Sequence, residues 1–401
     1  MSAGSPSLCR LCGRAITTPQ LSLGRLPVCN RFTTTETVNT RVDLAIVECE
    51  SCQFVQLRDT PPIDSLVPQL PWIRYREPEG HLDALVEALL AFRPTARTAL
   101  GTGPFEEPLL SRLAVRGLAT AALELDTPGA QGRYPYLESW QAGLNAPRLK
   151  YIAARRGTFD VLSCRYVLEH SPQPVAALTA LRSLLAEGGL LLIEVPDSSK
   201  FLAARDYCFL WEEHSCYFVE ETLGRLAETA GFHLLSVLRY PGAIEDALVA
   251  ILEVAKSSVP PLAPLGPSAL FQAYRDRFPA TRERVRARLD RAAGPARNGV
   301  ALFGIGHHAI MFVNAFGLAS EIALAVDDDP DKIGFFPPGF AVPVVGSQAL
   351  LQNERIGTCL FAVAPDVQAK VQTKLAPLGA RGVEFRSIYA AVGDSIVKGL
   401  A

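Results

Sequence analysis

At 401 residues, 49% of them hydrophobic, and with a formal net charge of −2, the chain is long enough for two or three domains with substantial cores. Its balanced charge excludes a nucleic-acid partner dictated by composition. No uninterrupted apolar run spans a bilayer, and the N-terminus, MSAGSPSLCRLCG, lacks a signal peptide's apolar core; a cytoplasmic protein is expected, and clustered members of its nine cysteines then read as metal ligands rather than disulfides.

In chain order, Cys9-Arg-Leu-Cys12 and Cys49-Glu-Ser-Cys52 come first. Each CxxC pair can hold one edge of a tetrahedral zinc site on a tight knuckle, and four thiolates leave no open position, so the site is structural. The alternative is four ordinary buried thiols. Cys29, between the pairs, reads as a core residue. The segment PWIRYREPEGH (71–81) is a linker whose aromatics, Trp72 and Tyr75, either reach an active site or pack on the core. His81–Phe92 patterns as an amphipathic helix, and Thr98–Gly103 as a first strand with a glycine turn at Gly101 and Gly103. The apolar run ending near Leu125 places Glu124 at a strand end, where a carboxylate can accept hydrogen bonds from a ribose.

Phe159–Ser163 is a short apolar strand, followed by Arg165–His170 and two prolines, Pro172 and Pro174. Val175–Ala186 has helical spacing, Gly188-Gly189 reads as its cap, and Leu190–Val195 as the next buried strand. Strand, helix and strand make one βαβ crossover of a parallel sheet. Farther on lie Glu213-His214, a helix over Glu220–Ala230 and a strand over His233–Leu238. A Pro-rich linker, PPLAPLGP, leads to a long charged helix at Ser268–Ala293. Val300–Gly306 is a further strand with a glycine turn, His307–Phe316 the helix it opens, and Ala323–Asp327, Cys359–Ala364 and Val383–Ser387 more strands. A GxG turn with a strand-end Asp327 is a weak dinucleotide signal, since the third glycine is missing and His307-His308 follow.

Tyr166-Val167-Leu168-Glu169-His170 resembles the segment after strand 4 of class I S-adenosylmethionine (SAM) methyltransferases. With both knuckles, LSLGRLPVCNRF (21–32), LAIVECESCQFVQL (44–57), the Glu213-His214…Tyr217-Phe218 stretch and VDDDPDKIGFFPPGFAVPV, the whole chain is similar to the deoxysugar C-methyltransferase family. The resemblance implies an α/β fold of three parts: an N-terminal zinc-ribbon module (1–70), a central class I methyltransferase Rossmann-like domain (71–258) and a C-terminal Rossmann-like domain (268–401). It implies two cofactors, structural Zn2+ and SAM, and a small-molecule substrate, an activated keto-sugar or similar metabolite of antibiotic biosynthesis.

By the same resemblance His214 is the general base, Glu213 its support, and Tyr75 an active-site aromatic. SAM falls to Gly101, Gly103, Glu124, Arg165 and Glu169. A base is required because a methyl electrophile is useless until the carbon is deprotonated. The sequence departs from the family at the SAM turn: Ala99 stands where an acid is expected, and Pro104 and Phe105 follow Gly103. That departure motivates an alternative, in which the fold serves SAM-independent chemistry. An example is an amine displacing a sulfate or phosphate within one molecule to close a small ring, with a partner protein involved.

Overall fold

The structure is a computed structural model, and it describes residues 7–36, 40–73, 77–123, 144–256, 263–292 and 299–398. Tyr75 and Glu124, both named from the sequence, lie outside the described residues.

Strands β1 (Leu21–Pro27), β2 (Arg41–Glu48) and β3 (Val55–Leu57) form a small antiparallel sheet behind the two knuckles. At each knuckle the first cysteine's carbonyl accepts from the residue after the second, Gly13 or Gln53, both with positive φ (72° and 60°). The backbone thereby folds back and points two sulfurs to one side.

The central sheet runs β5-β4-β6-β7-β10-β9. It is built from β4 (Thr98–Gly101), β5 (Ala119–Ala122), β6 (Phe159–Arg165) and β7 (Leu185–Pro196), which are parallel, and the two-stranded β9 (Phe232–Tyr240) and β10 (Ala247–Val254), with β10 antiparallel to β7. The short strand β8 (Cys216–Tyr217) does not join it. Instead β8 pairs with β3, Val55 opposite Tyr217 and Gln56 opposite Cys216, so the zinc-side sheet ends on a strand from the central region. Leucines of the helices Leu82–Phe92 and Glu107–Val115 pack on one face of the central sheet, and leucines of Pro174–Leu181 and Glu220–Thr229 on the other. Helix stripes of this kind cover both faces of a parallel sheet.

Two elements differ from the sequence expectation. Gly188-Gly189 does not cap a helix. The helix ends at Leu181, a 3-10 turn follows, and β7 already starts at Leu185, with the register to β6 slipping between Phe159–Leu185 and Val161–Leu190. The glycines sit in that slip, under the Arg93 guanidinium that donates to the Gly188 carbonyl. Strand β10 had no sequence expectation: its first six residues, ALVAIL, are all apolar and all buried, and a continuous apolar run carries no period.

The last sheet is parallel, β13-β12-β11-β14-β15, formed by β11 (Gly299–Phe303), β12 (Ile322–Val326), β13 (Val344–Val345), β14 (Ile356–Phe361) and β15 (Glu384–Ser387). One continuous apolar core joins β1 and β2, the segment Phe201–Leu210, the helix Ala269–Ala292 and this sheet, with the Tyr207 ring meeting those of Tyr274, Phe278 and Phe316.

Candidate active site

The carboxyl ends of β4 and β6 meet where the strand order reverses, the usual ligand position of an open α/β sheet. Thr102 crosses between them, its backbone N–H and its hydroxyl both donating to the Ser163 carbonyl (2.8 and 2.7 Å). The glycines of the turn are demanded by what lies against them. A Cβ on Gly101 would stand 2.4 Å from Cβ of Glu106, and one on Gly103 would stand 2.8 Å from Cγ2 of Val167. The turn is therefore no open cradle: the Glu106 side chain fills the space over Gly101.

Glu106 supplies a carboxylate where Ala99 has none. It is buried, its Oε1 accepts from the Arg165 backbone N–H (2.9 Å), and its Oε2 has no partner. Burial, only partly offset by Ser163 and Arg165, pushes its pKa up to about 7. An unpartnered acceptor at the end of β4 is what the ammonium of SAM's methionine end requires. The described residues fit that end of SAM through Glu106 rather than through residue 99. No motif marks Glu106 in the sequence, and only its packing against Gly101 shows where the side chain goes.

Arg165 is placed otherwise than as a ligand contact. It is 1% exposed, and its guanidinium is spent on internal partners: Nε on Glu194 (2.5 Å), Nη1 on the Phe105 carbonyl (2.6 Å) and Nη2 on the Pro78 carbonyl (3.0 Å). Glu194 also takes His81 Nε2 at 2.8 Å. Burial alone would raise Glu194, yet His81 and Arg165 hold it below the usual carboxylate value. Arg165 thus ties the 78–81 segment and the glycine turn to β7. The next residue, Tyr166, has φ 52°, a strained left-handed turn at the strand end.

From Arg165 the chain runs along the site. Val167 rests on Gly103, and at the far end Glu169, His170 and His214 bring one ligand atom each within 4.8 Å of the others. Glu169 lies with the histidines, not at the glycine turn. Glu169 Oε2 and His170 Nδ1 are buried without a partner. Burial pushes the Glu169 carboxyl well up; burial, then His214, pushes His170 well down. His214 is partly exposed, meets His170 edge-on at 4.6 Å, and stacks on Trp211 at 5.0 Å. Burial, then His308, lowers its pKa to about 3, so its imidazole is neutral, the state of a proton acceptor. Glu213 is turned away, buried, with Oε1 accepting from Asn30 Nδ2 at 3.2 Å. It anchors the segment to the zinc side.

Trp72 lies between Phe32 (5.1 Å) and Phe335 (5.7 Å), which gives it a packing role. Asp327 is accounted for internally, accepting from the Ile305 N–H and pairing with Lys332 (both 2.8 Å). At the knuckles Cys9 Sγ lies 3.5 Å from Cys52 Sγ, and Cys12 Sγ 3.6 Å from Cys49 Sγ. All four sulfurs lie within 4.8 Å of one another. Four sulfurs about 2.3 Å from one zinc ion in a tetrahedron stand about 3.8 Å apart, so the cluster fits zinc.

Three family models match in succession: a zinc binding domain over residues 9–66, a methyltransferase domain over 73–237 and a C-methyltransferase C-terminal domain over 263–388. The C-methyltransferase NovU of Streptomyces niveus is 25% identical over 222 residues, 52% of this chain and 52% of the relative. The ubiquinone biosynthesis O-methyltransferase of Psychrobacter cryohalolentis is 27% identical over 145 residues, 35% of this chain and 54% of the relative. The chain thus spans about half the length of these curated relatives. Among solved structures, the 1,6-didemethyltoxoflavin-N1-methyltransferase of Burkholderia thailandensis is 18% identical, covers 44% of this chain and 80% of its own, and has a TM-score of 0.32.

Proposed function

We propose that this chain, in which a zinc binding domain, a methyltransferase domain and a C-methyltransferase C-terminal domain follow one another, is a SAM-dependent methyltransferase that methylates a carbon of an activated keto-sugar or similar small metabolite in antibiotic biosynthesis. The observation that carries this reading is the path of one segment, 165–170. It touches the glycine turn at Gly103 and, a few residues on, meets the neutral imidazole of His214. SAM, when bound, supplies an electrophilic methyl group.

This chain's residues supply the rest. His214 takes the proton from the carbon beside the substrate carbonyl, and that C–H electron pair becomes the nucleophile. Trp211 stacking and the His170 edge fix the ring. Glu169, whose carboxyl burial pushes well up, presents its unpartnered Oε2 beside the two histidines. Glu106 holds the ammonium of the methyl donor, and the Arg165–Glu194–His81 network keeps the turn in place.

The test is calorimetric titration of the zinc-loaded protein with SAM and with S-adenosylhomocysteine. Micromolar binding of both, weakened at least tenfold by Glu106→Gln, is expected. No heat from either at millimolar concentration would overturn the reading. It would favour the second one, a SAM-independent displacement at the same cleft, requiring a substrate with its own leaving group and involving a partner protein. The Glu106 side chain over Gly101 is the observation that favours this second reading.

A further inference from the structure

Cys29, Glu212 and His307 come from three distant parts of the chain: the loop after β1, the segment before His214, and the first turn of the helix His307–Phe316. One ligand atom of each lies within 4.8 Å of the other two. Cys29 and Glu212 are buried, at 4% and 2% exposure. The Cys29 backbone N–H donates to Glu212 Oε1 at 2.5 Å, which holds the carboxylate against the loop. Glu212 Oε2 stands 3.9 Å from His307 Nε2, too far for a hydrogen bond, and that nitrogen is buried with no partner. The His307 ring stacks on Trp211 at 3.5 Å, which favours this orientation.

Left alone, this arrangement is costly. A buried carboxylate and a buried imidazole nitrogen face one another across a gap that neither closes. A divalent cation answers all three groups at once: it accepts a lone pair from each, and its two charges neutralise a thiolate and a carboxylate.

We propose that Cys29, Glu212 and His307 bind a second zinc ion, distinct from that of the four-cysteine cluster. The donors are one sulfur, one oxygen and one nitrogen, a set that suits zinc and excludes calcium and magnesium, which take oxygen ligands. Zinc bonds of about 2.0–2.3 Å place tetrahedral donors about 3.3–3.6 Å apart, so the 3.9 Å between Glu212 and His307 closes with a small side-chain rotation. Binding releases the Cys29 thiol proton to solvent. Three protein ligands leave a fourth position of the tetrahedron open, and the His307 residue is only partly buried. The ion clamps the zinc-side sheet, the segment bearing His214 and the C-terminal sheet together. It also offers a Lewis-acidic position one tryptophan ring away from the proposed base, since His214 and His307 both stack on Trp211.

The experiment is a zinc count on the full chain. Metal-stripped protein is titrated with Zn2+ against a chromophoric chelator, and the metal content of protein dialysed from zinc buffer is measured independently. Two equivalents per chain are expected in the wild type. One is expected in His307→Ala and in Cys29→Ala, where the four-cysteine cluster persists and reports that its module is folded. Glu212→Gln, nearly isosteric, is expected to weaken the second equivalent at least tenfold. A single equivalent in the wild type at micromolar free zinc would overturn the proposal. So would a second equivalent that survives in both His307→Ala and Cys29→Ala, because it would then reside elsewhere, for instance at Glu169, His170 and His214.

Discussion

At the scale of single residues, the site is governed by ionisations that burial has displaced. His214, lowered to about 3, is neutral across the whole range in which the protein would work. If it is the base, the turnover rate at saturating SAM will show no acid limb near 6.5 and will stay level as pH falls from 7.5 to 5.5; a limb centred near 6.5 would assign the proton transfer to a different group. His214→Ala is expected to lower the rate by ~10²–10⁴-fold with an unchanged melting profile.

Glu106 behaves oppositely. Its folded pKa, about 7, is above the ordinary value of 4.5, so the folded state binds its proton more tightly. The stability this contributes is fully present below pH 4.5 and is lost as pH rises through 7. The shift corresponds to about 3 kcal/mol. Glu106→Gln should therefore match the wild type in denaturant unfolding at pH 4.5 and exceed it at pH 8.5 by up to that amount. Equal stability at both pH values would mean that the carboxylate is better solvated than its packing against Gly101 indicates.

At the scale of elements, the two knuckles depend on their own hydrogen bonds and on one aromatic plug. Phe54 follows the second knuckle, is fully buried, and meets Phe218 at 5.5 Å. Phe54→Ala is expected to cost about 3–5 kcal/mol in denaturant unfolding while leaving the four-cysteine zinc equivalent in place, because no sulfur depends on that ring. Loss of zinc with the ring would show that the knuckle is held by the core rather than by the metal.

The elements legible in the sequence are those whose signal is local. The CxxC spacings, the GxG turns and the helix periods each lie within a dozen residues and need no tertiary context. Gly188-Gly189 misled because a helix cap and a strand irregularity use the same residue, and only the pairing with β6 distinguishes them. Strand β10 has no alternation to detect. The site divides the same way: His214 and the segment 165–170 were marked by motif, whereas Glu106 carries no motif at all. Its position is set by the space above a glycine, which a sequence does not display. Cys29, Glu212 and His307 were equally invisible as a group, since only the packing of three regions brings them together.

At the scale of the whole molecule, the metal cluster and the candidate base are joined by a short mechanical path. Strand β8 begins two residues after His214 and is the edge strand of the zinc-side sheet, pairing with β3 directly after the second knuckle. Tyr217, in β8, also closes back on the base's own loop: the Trp211 N–H donates to its hydroxyl at 2.9 Å. On the other side, Asp206 accepts from the Ala390 N–H at 2.7 Å, so the same segment is tied to the C-terminal sheet. Removing zinc from the four cysteines frees one end of this path. Chelation of that zinc, or Cys49→Ser, is therefore expected to reduce methyl transfer even though none of the four sulfurs belongs to the cluster around His214. It should also shift the tryptophan fluorescence, since Trp211 loses the Tyr217 anchor. The comparison to make is Cys49→Ser against Phe54→Ala: both loosen β3, but only the first takes the metal. If both lose activity in proportion to their loss of stability, the path is mechanical. If Cys49→Ser loses transfer while its unfolding midpoint matches that of Phe54→Ala, zinc acts on the site beyond holding β8 in place.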